Sequence, residues 1–272
     1  YSSVGTPGTT PTATLTYLLA GGKLDDLSVS GKRFATLDVM AALTISNSLG
    51  TVFNPTARIS QIFREGDMGG DKALGIDEWR RSQSVQARTT GTFTASTPII
   101  KGASQTGSVL ITDGWASSAA TLKRGDKFTI AGVYTVNPVS YSSTGRLQQF
   151  VVTADTTSVG VDMATLPISP SIITSGQLQT VSNSPANDAV ITVLGTTAAA
   201  GGTMATTVSP QSLIYTKDFG VLASVDLESD LDGATCTRIS DKEMGMSIRW
   251  AKQYQINTDQ NDSRFDILIG PA

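Results

Sequence analysis

The sequence predicts an α+β fold, with helix-bearing flanks around a middle stretch of pure β-structure. Three observations predict it. Helical periodicity is confined to residues 1–91. Between 92 and 210 the chain turns to Thr, Ser, Gly and Val, with short strand patterns between turn signals. From 211 to 272 the apolar residues recur at the strand period of two. The middle stretch reads as an inserted small barrel or sandwich, and 211–272 as a return to the first domain.

The elements follow in order. Thr10-Pro11 predicts a helix start, Leu15, Leu18 and Leu19 its apolar face, and Gly21-Gly22 its stop. Phe34–Leu37 predicts a strand, and Asp38 the cap of a second helix carrying Val39, Ala42 and Leu43. Asn54-Pro55 opens a third helix, whose stripe is Ile59, Ile62 and Phe63. A glycine-rich loop follows, then a strand around Ile76–Trp79. In the middle, strands are expected at Ser108–Thr112, Lys127–Val136, Leu147–Thr153 and Asp188–Leu194. Asp113-Gly114, Ser143-Thr144-Gly145 and Gly201-Gly202 supply the turns. Val221, Ala223, Val225 and Leu227 alternate with polar neighbours. Met244, Met246, Ile248, Trp250, Tyr254 and Ile256 then share one strand face, and Ser247, Arg249, Gln253 and Gln255 the other. Phe265, Ile267 and Ile269 answer them across a polar loop. This predicts a long antiparallel hairpin with its apolar face, Trp250 included, buried.

Bulk chemistry removes several function classes. The chain has no histidine, which takes away Ser-His-Asp and Cys-His machinery and the commonest transition-metal ligand. Its one cysteine, Cys236, cannot form an intrachain disulfide. A net charge of −3 gives no basic field for capturing nucleic acid. No apolar run approaches the ~18 residues of a membrane span. Tyr1-Ser2-Ser3 carries neither an initiator Met nor a signal-peptide pattern, so a processed or partial chain is expected.

Local motifs add no catalytic site. Glu228, Asp230, Asp232 and Gly233 faintly suggest a calcium loop, but Ile239 stands where the bidentate Glu belongs. Gly66, Gly69, Gly70 and Lys72 miss the phosphate-loop spacing. Cys236 reads as structural or incidental. Trp79-Arg80-Arg81, and Trp250 with Arg249 and Lys252, could stack bases or contact phosphate, yet both tryptophans read better as core. No catalytic residue, cofactor or metal is expected.

Several segments together carry a resemblance. "LKRGDKFTIAGVYTVNP" (122–138), "LQQFVVTAD" (147–155), "VITVLG" (190–195), "QSLIYTKDFGVLASVDLE" (211–228) and "MSIRWAKQYQINTDQNDSRFDILIG" (246–270) occur in an order similar to the major coat proteins of tailed bacteriophages. The similar group is that of the short-tailed Salmonella phage P-twenty-two. "GIDEWRRSQSVQARTTG" (75–91) resembles the strand leading into that group's inserted domain. The resemblance covers about residues 15–272 and implies a Hong-Kong-97-type capsid fold. On it, 1–91 is the first part of the axial domain, 92–210 the inserted β-barrel, and 211–272 the axial and peripheral return strands. Such proteins begin with an N-terminal arm, an extended loop and a spine helix. None is read here, so the chain is expected to start just after the spine helix.

The resemblance implies a major capsid protein that self-assembles as hexamers and pentamers into an icosahedral shell around double-stranded DNA. Scaffolding and portal proteins are the other implied partners, and DNA meets the inner wall non-specifically. No membrane is involved; the place is the virion, assembled in the bacterial host cytoplasm. Arg249, Arg264 and Asp266 are the inter-subunit interface candidates. Another class stays open, an immunoglobulin-like adhesion or fibre protein, although the helical signals at Thr10–Leu19 and Asn54–Phe63 count against it. A glycosidase would need two carboxylates about 5–10 Å apart in a cleft, and no segment suggests one.

Overall fold

The first helix runs through its glycines because packing outweighs propensity. The computed structural model describes residues 2–50, 72–92, 97–117, 119–160, 162–195, 205–231, 233–241, 243 and 245–271. In it α1 spans Thr14–Asp26, starting after Pro11 and crossing Gly21-Gly22. Glycine costs a helix roughly 1 kcal/mol against alanine. Gly21 is nevertheless buried, and a Cβ there would sit 3.5 Å from Arg33 Nη1. The helix ends where Ser28 takes a positive φ of 55°. Ser28 N–H donates to Asp25 O and Val29 N–H to Leu24 O, both at 2.9 Å, so two end carbonyls are satisfied. The expected apolar face is not the docked one. Leu15, Leu18 and Leu19 are exposed, whereas Tyr17 is buried. Its hydroxyl donates to Ala41 O at 3.2 Å, and its ring meets Trp79 edge-on at 5.8 Å.

β1 (Arg33–Leu37) leads into α2 (Val39–Gly50), capped as expected: Met40 N–H donates to Asp38 Oδ2 at 3.1 Å. Ala41, Ala42 and Ile45 face inward, and Leu43 stays exposed. The third helix, and the turn at Gly201-Gly202, lie outside the described residues. β2 (Glu78–Arg81) lies parallel to β1, and β11 (Leu213–Thr216) antiparallel on its other side. Tyr17, Leu37, Ile45, Ile76 and Trp79 form the core of this part.

β3 (Ala87–Thr89) pairs antiparallel with β10 (Val208–Pro210), so a two-stranded stalk marks where the chain enters and leaves the middle stretch. Beyond it lie β4 (Ile99–Ile100), β5 (Gly107–Asp113), β6 (Lys127–Val136), β7 (Ser143–Val152), β8 (Ala164–Ile172) and β9 (Ile191–Val193). Their sheet order is β4-β5-β8-β7-β6-β9. Its ends meet: Ile191 N–H donates to Pro98 O at 2.9 Å and Ile100 N–H to Ala189 O at 3.0 Å. The sheet thus nearly closes into a barrel around a core of its own, built on Ile100, Phe128, Ile130, Phe150, Leu166 and Val193.

β6 is the expected strand, but its register shifts after Thr129 and Gly132 takes φ +80°. That bulge turns Val133 inward and leaves Tyr134 36% exposed. Ser143-Thr144-Gly145 is not a free turn but the irregular start of β7. β8 is an unexpected strand carrying Pro167 and the cis Ser169-Pro170 bond. Proline cannot donate to a ladder, yet Pro167 O accepts from Thr153 N–H at 2.9 Å, opposite a register shift on β5.

Asp113-Gly114 does turn the chain. Gly114 has φ +77°, and a Cβ there would collide with the backbone carbonyl of Thr97. Left-handed backbone alone costs a non-glycine residue about 1–2 kcal/mol, before the clash. Gly114→Ala is therefore expected to destabilise the barrel by at least about 2 kcal/mol, read as a lowered thermal midpoint in circular dichroism.

By packing, the chain divides into Tyr1–Thr216 and Lys217–Ala272. Among its described residues the second unit carries five strands and a turn of 3₁₀ helix. β12 (Leu222–Ser224) pairs with β16 (Ile269–Pro271), while β13 (Thr235–Asp241), β14 (Met246–Gln255) and β15 (Gln260–Asp266) form an antiparallel sheet in that order. The hairpin β14–β15 is the expected one, but Phe265 and Ile269 fall on different strands.

Candidate inter-subunit interface

The three interface candidates meet because of hairpin register. Arg249 lies directly opposite Asp266, and Arg264 opposite Ala251, so all three project from one face of β14 and β15. Arg249 Nη2 donates to Asp266 Oδ2 at 2.6 Å and its Nε to the same oxygen at 3.1 Å. Arg249 Nη1 reaches Glu228 O at 2.8 Å. Arg264 Nε lies 2.9 Å from Asp266 Oδ1. The side chain of Arg249 is 11% exposed and that of Arg264 68%. Arg249 and Asp266 are therefore occupied with each other, and Arg264 presents its guanidinium to solvent.

The Arg249 hydrogen bond holds the Asp266 carboxyl below the usual carboxylate range, with Arg264 adding to the effect and burial opposing it. A depressed carboxyl stabilises the fold above its unfolded pKa of about 3.9, and loses that contribution as pH falls through the folded value. Asp266→Asn is expected to flatten acid denaturation of the hairpin below about pH 4, followed by amide exchange in β14 and β15.

The hairpin's faces are covered the opposite way from expectation. Ser247 on the polar face is buried and its N–H donates to Ser224 Oγ at 3.3 Å. On the apolar face Ile248, Trp250 and Phe265 are 46%, 41% and 76% exposed, and Trp250 stacks on Phe265 at 6.4 Å. The physical reason is the path of 224–228, which crosses the polar face and supplies acceptors to its donors. Met244 lies outside the described residues.

The other singled-out residues take structural places. Trp79 is core, donating Nε1–H to Ala73 O at 3.3 Å. Cys236 is half-buried opposite Ala251 on β14. Among the described residues no three His, Cys, Asp or Glu side chains gather as metal ligands; Asp232 and Gly66–Gly70 lie outside them. No helix among them is long and apolar enough to cross a membrane. Asp113 and Asp162 form a close carboxyl pair that sequence reading missed. Lys101, 2.9 Å away, holds Asp113 low, while burial and then Asp113 push Asp162 up. Topology alone joins them, since Asp113 ends β5 and Asp162 precedes β8.

Comparison with known proteins gives these features a setting. A family model described as "P22 coat protein - gene protein 5" matches residues 31–272. No curated protein matches the chain. A solved "CUS-3 coat protein I-domain" is 26% identical, covering 38% of this chain and 97% of that one, with a TM-score of 0.27. Coat proteins are structural subunits that assemble into the capsid of the virion, not enzymes. With the match spanning most of its length, the chain belongs to the P22 coat protein family of bacteriophage capsid proteins.

Proposed function

We propose that this chain is the repeating subunit of an icosahedral shell around double-stranded DNA, with a Hong-Kong-97-type axial domain in 1–91 and 211–272 and the barrel inserted at 92–210. The observation that carries the proposal is the family match over residues 31–272. Separate apolar cores in the middle stretch and in the α1–β2 part agree with a barrel placed into a host domain. So does the β3–β10 stalk, where entering and leaving strands run side by side. A net charge of −3 leaves subunits weakly repelling, which suits assembly through many modest contacts.

In this reading subunits cluster as hexamers and pentamers, guided by scaffolding and portal proteins in the host cytoplasm, and DNA touches the inner wall without sequence preference. The Arg249–Asp266–Arg264 cluster faces a neighbouring subunit, with Arg264 as its reaching member. Co-expression of the full-length gene product with its scaffolding protein should yield shell-sized particles in electron micrographs; monomers and small oligomers alone overturn the reading. Arg264→Glu is expected to reduce particle yield several-fold while the thermal midpoint of the free subunit moves by less than about 2 °C, since exposed ion pairs contribute about 0–1 kcal/mol.

A further inference from the structure

Among the described residues two kinds of polar contact, besides the Pro7 ring lying close to Gly195, link the barrel to the rest of its unit, and they differ in burial. At the stalk, Asp126 from the barrel has a side chain 2% exposed. It accepts from the Arg88 guanidinium, from Lys123 N–H at 2.7 Å and from Gly91 N–H at 3.2 Å. A Cβ on Gly91 would lie 2.8 Å from Asp126 Oδ2 and 3.0 Å from Lys123 N, so only glycine lets the entering strand come this near. Losing Arg88 here would leave a carboxylate charged and desolvated, which is strongly unfavourable.

The second contact lies at the end of α1 and along the N-terminal segment. Arg146 on β7 pairs with Asp26 at 2.7 Å, the side chains being 47% and 16% exposed. Asn137, just past β6, donates to Ser28 Oγ at 2.7 Å and to Asp26 O at 3.3 Å. Gln149 clasps the Ser3 backbone twice, accepting from its N–H at 2.7 Å and donating to its carbonyl at 2.8 Å. The Arg146–Asp26 and Asn137–Ser28 bonds are exposed and the other three part-buried, so water reaches this contact more readily than it reaches Asp126. The two apolar cores are separate clusters, so parting these groups opens neither.

We infer that the barrel is a lever. It pivots on the buried Arg88–Asp126 stalk and undocks reversibly, as a rigid body, from a polar seat made by Ser3, Asp26 and Ser28. The inference concerns motion within one chain and stands independently of the shell reading.

Spin labels at Met40→Cys on α2 and Ala103→Cys on the barrel, in a Cys236→Ser background, report the distance by electron–electron double resonance. The Arg146→Ala/Gln149→Ala variant should gain a second, broader distance population while amide protection in β6 and β7 stays unchanged. Salt near 1 M should broaden the parent distribution in the same direction, because the Debye length there is about 3 Å. Asp126→Asn should speed exchange at the Gly91 amide by roughly tenfold or more, the equivalent of about 1.4 kcal/mol. A single narrow distance in the seat variant, identical to the parent's, overturns the lever. So does loss of barrel protection in that variant, since the seat would then be part of the barrel fold, and so does unchanged Gly91 exchange in Asp126→Asn.

Discussion

Phe128→Ala should lower the stability of the barrel by about 3–5 kcal/mol, the range for deleting a buried aromatic ring. Phe128 and Phe150 are cross-strand partners on β6 and β7, both fully buried, with ring centroids 5.8 Å apart. Removal of either ring takes away its own burial and its partner's contact surface, and strands on both sides hold the cavity open. A domain of about 100 residues shifts its midpoint by roughly 4 °C or more per kcal/mol, so a fall of at least about 12 °C is expected. Circular dichroism on the purified chain measures it. A fall under 3 °C would mean that the barrel core is not organised around this pair.

The second large effect contrasts two tryptophans. Trp79→Ala should cost about 3–5 kcal/mol, because Trp79 is 3% exposed, packs on Tyr17 and bonds the Ala73 carbonyl. Trp250→Ala should cost the free chain no more than about 1 kcal/mol, because 41% of Trp250 already meets water and its main partner, Phe265, is more exposed still. Denaturant midpoints of the two variants, compared with the parent, test both halves. Equal losses would show that the hairpin's apolar face is covered in solution.

That contrast also marks how far the sequence could be read. Alternation placed Arg249 on one face and Trp250 on the other, and the pairing of β14 with β15 obeys it. Which face is covered depended on where residues 224–228 travel, and strand periodicity holds no information about that. Likewise β6 was legible from end to end, yet the shift after Thr129 moved Val133 into the core. β8 was hidden by its prolines, whose missing N–H argues against a central strand unless a neighbour's irregular register absorbs the loss. In α1 the glycine pair looked like a stop; packing at Gly21 overrode it. The interface candidates came together as hairpin geometry requires, but their preference for one another over a neighbour is a matter of side-chain reach. Arg88 with Asp126 gave no signal, because 38 positions separate the two in the chain.

The near-closure of the six-stranded sheet has a consequence for crowding. A sheet with free margins offers unpaired amides and carbonyls to any similar sheet nearby, and identical copies held at high local density are the most dangerous neighbours. Here the first and last strands satisfy each other through Pro98, Ala189, Ile100 and Ile191. Such a module can stand shoulder to shoulder with many twins without knitting into fibres.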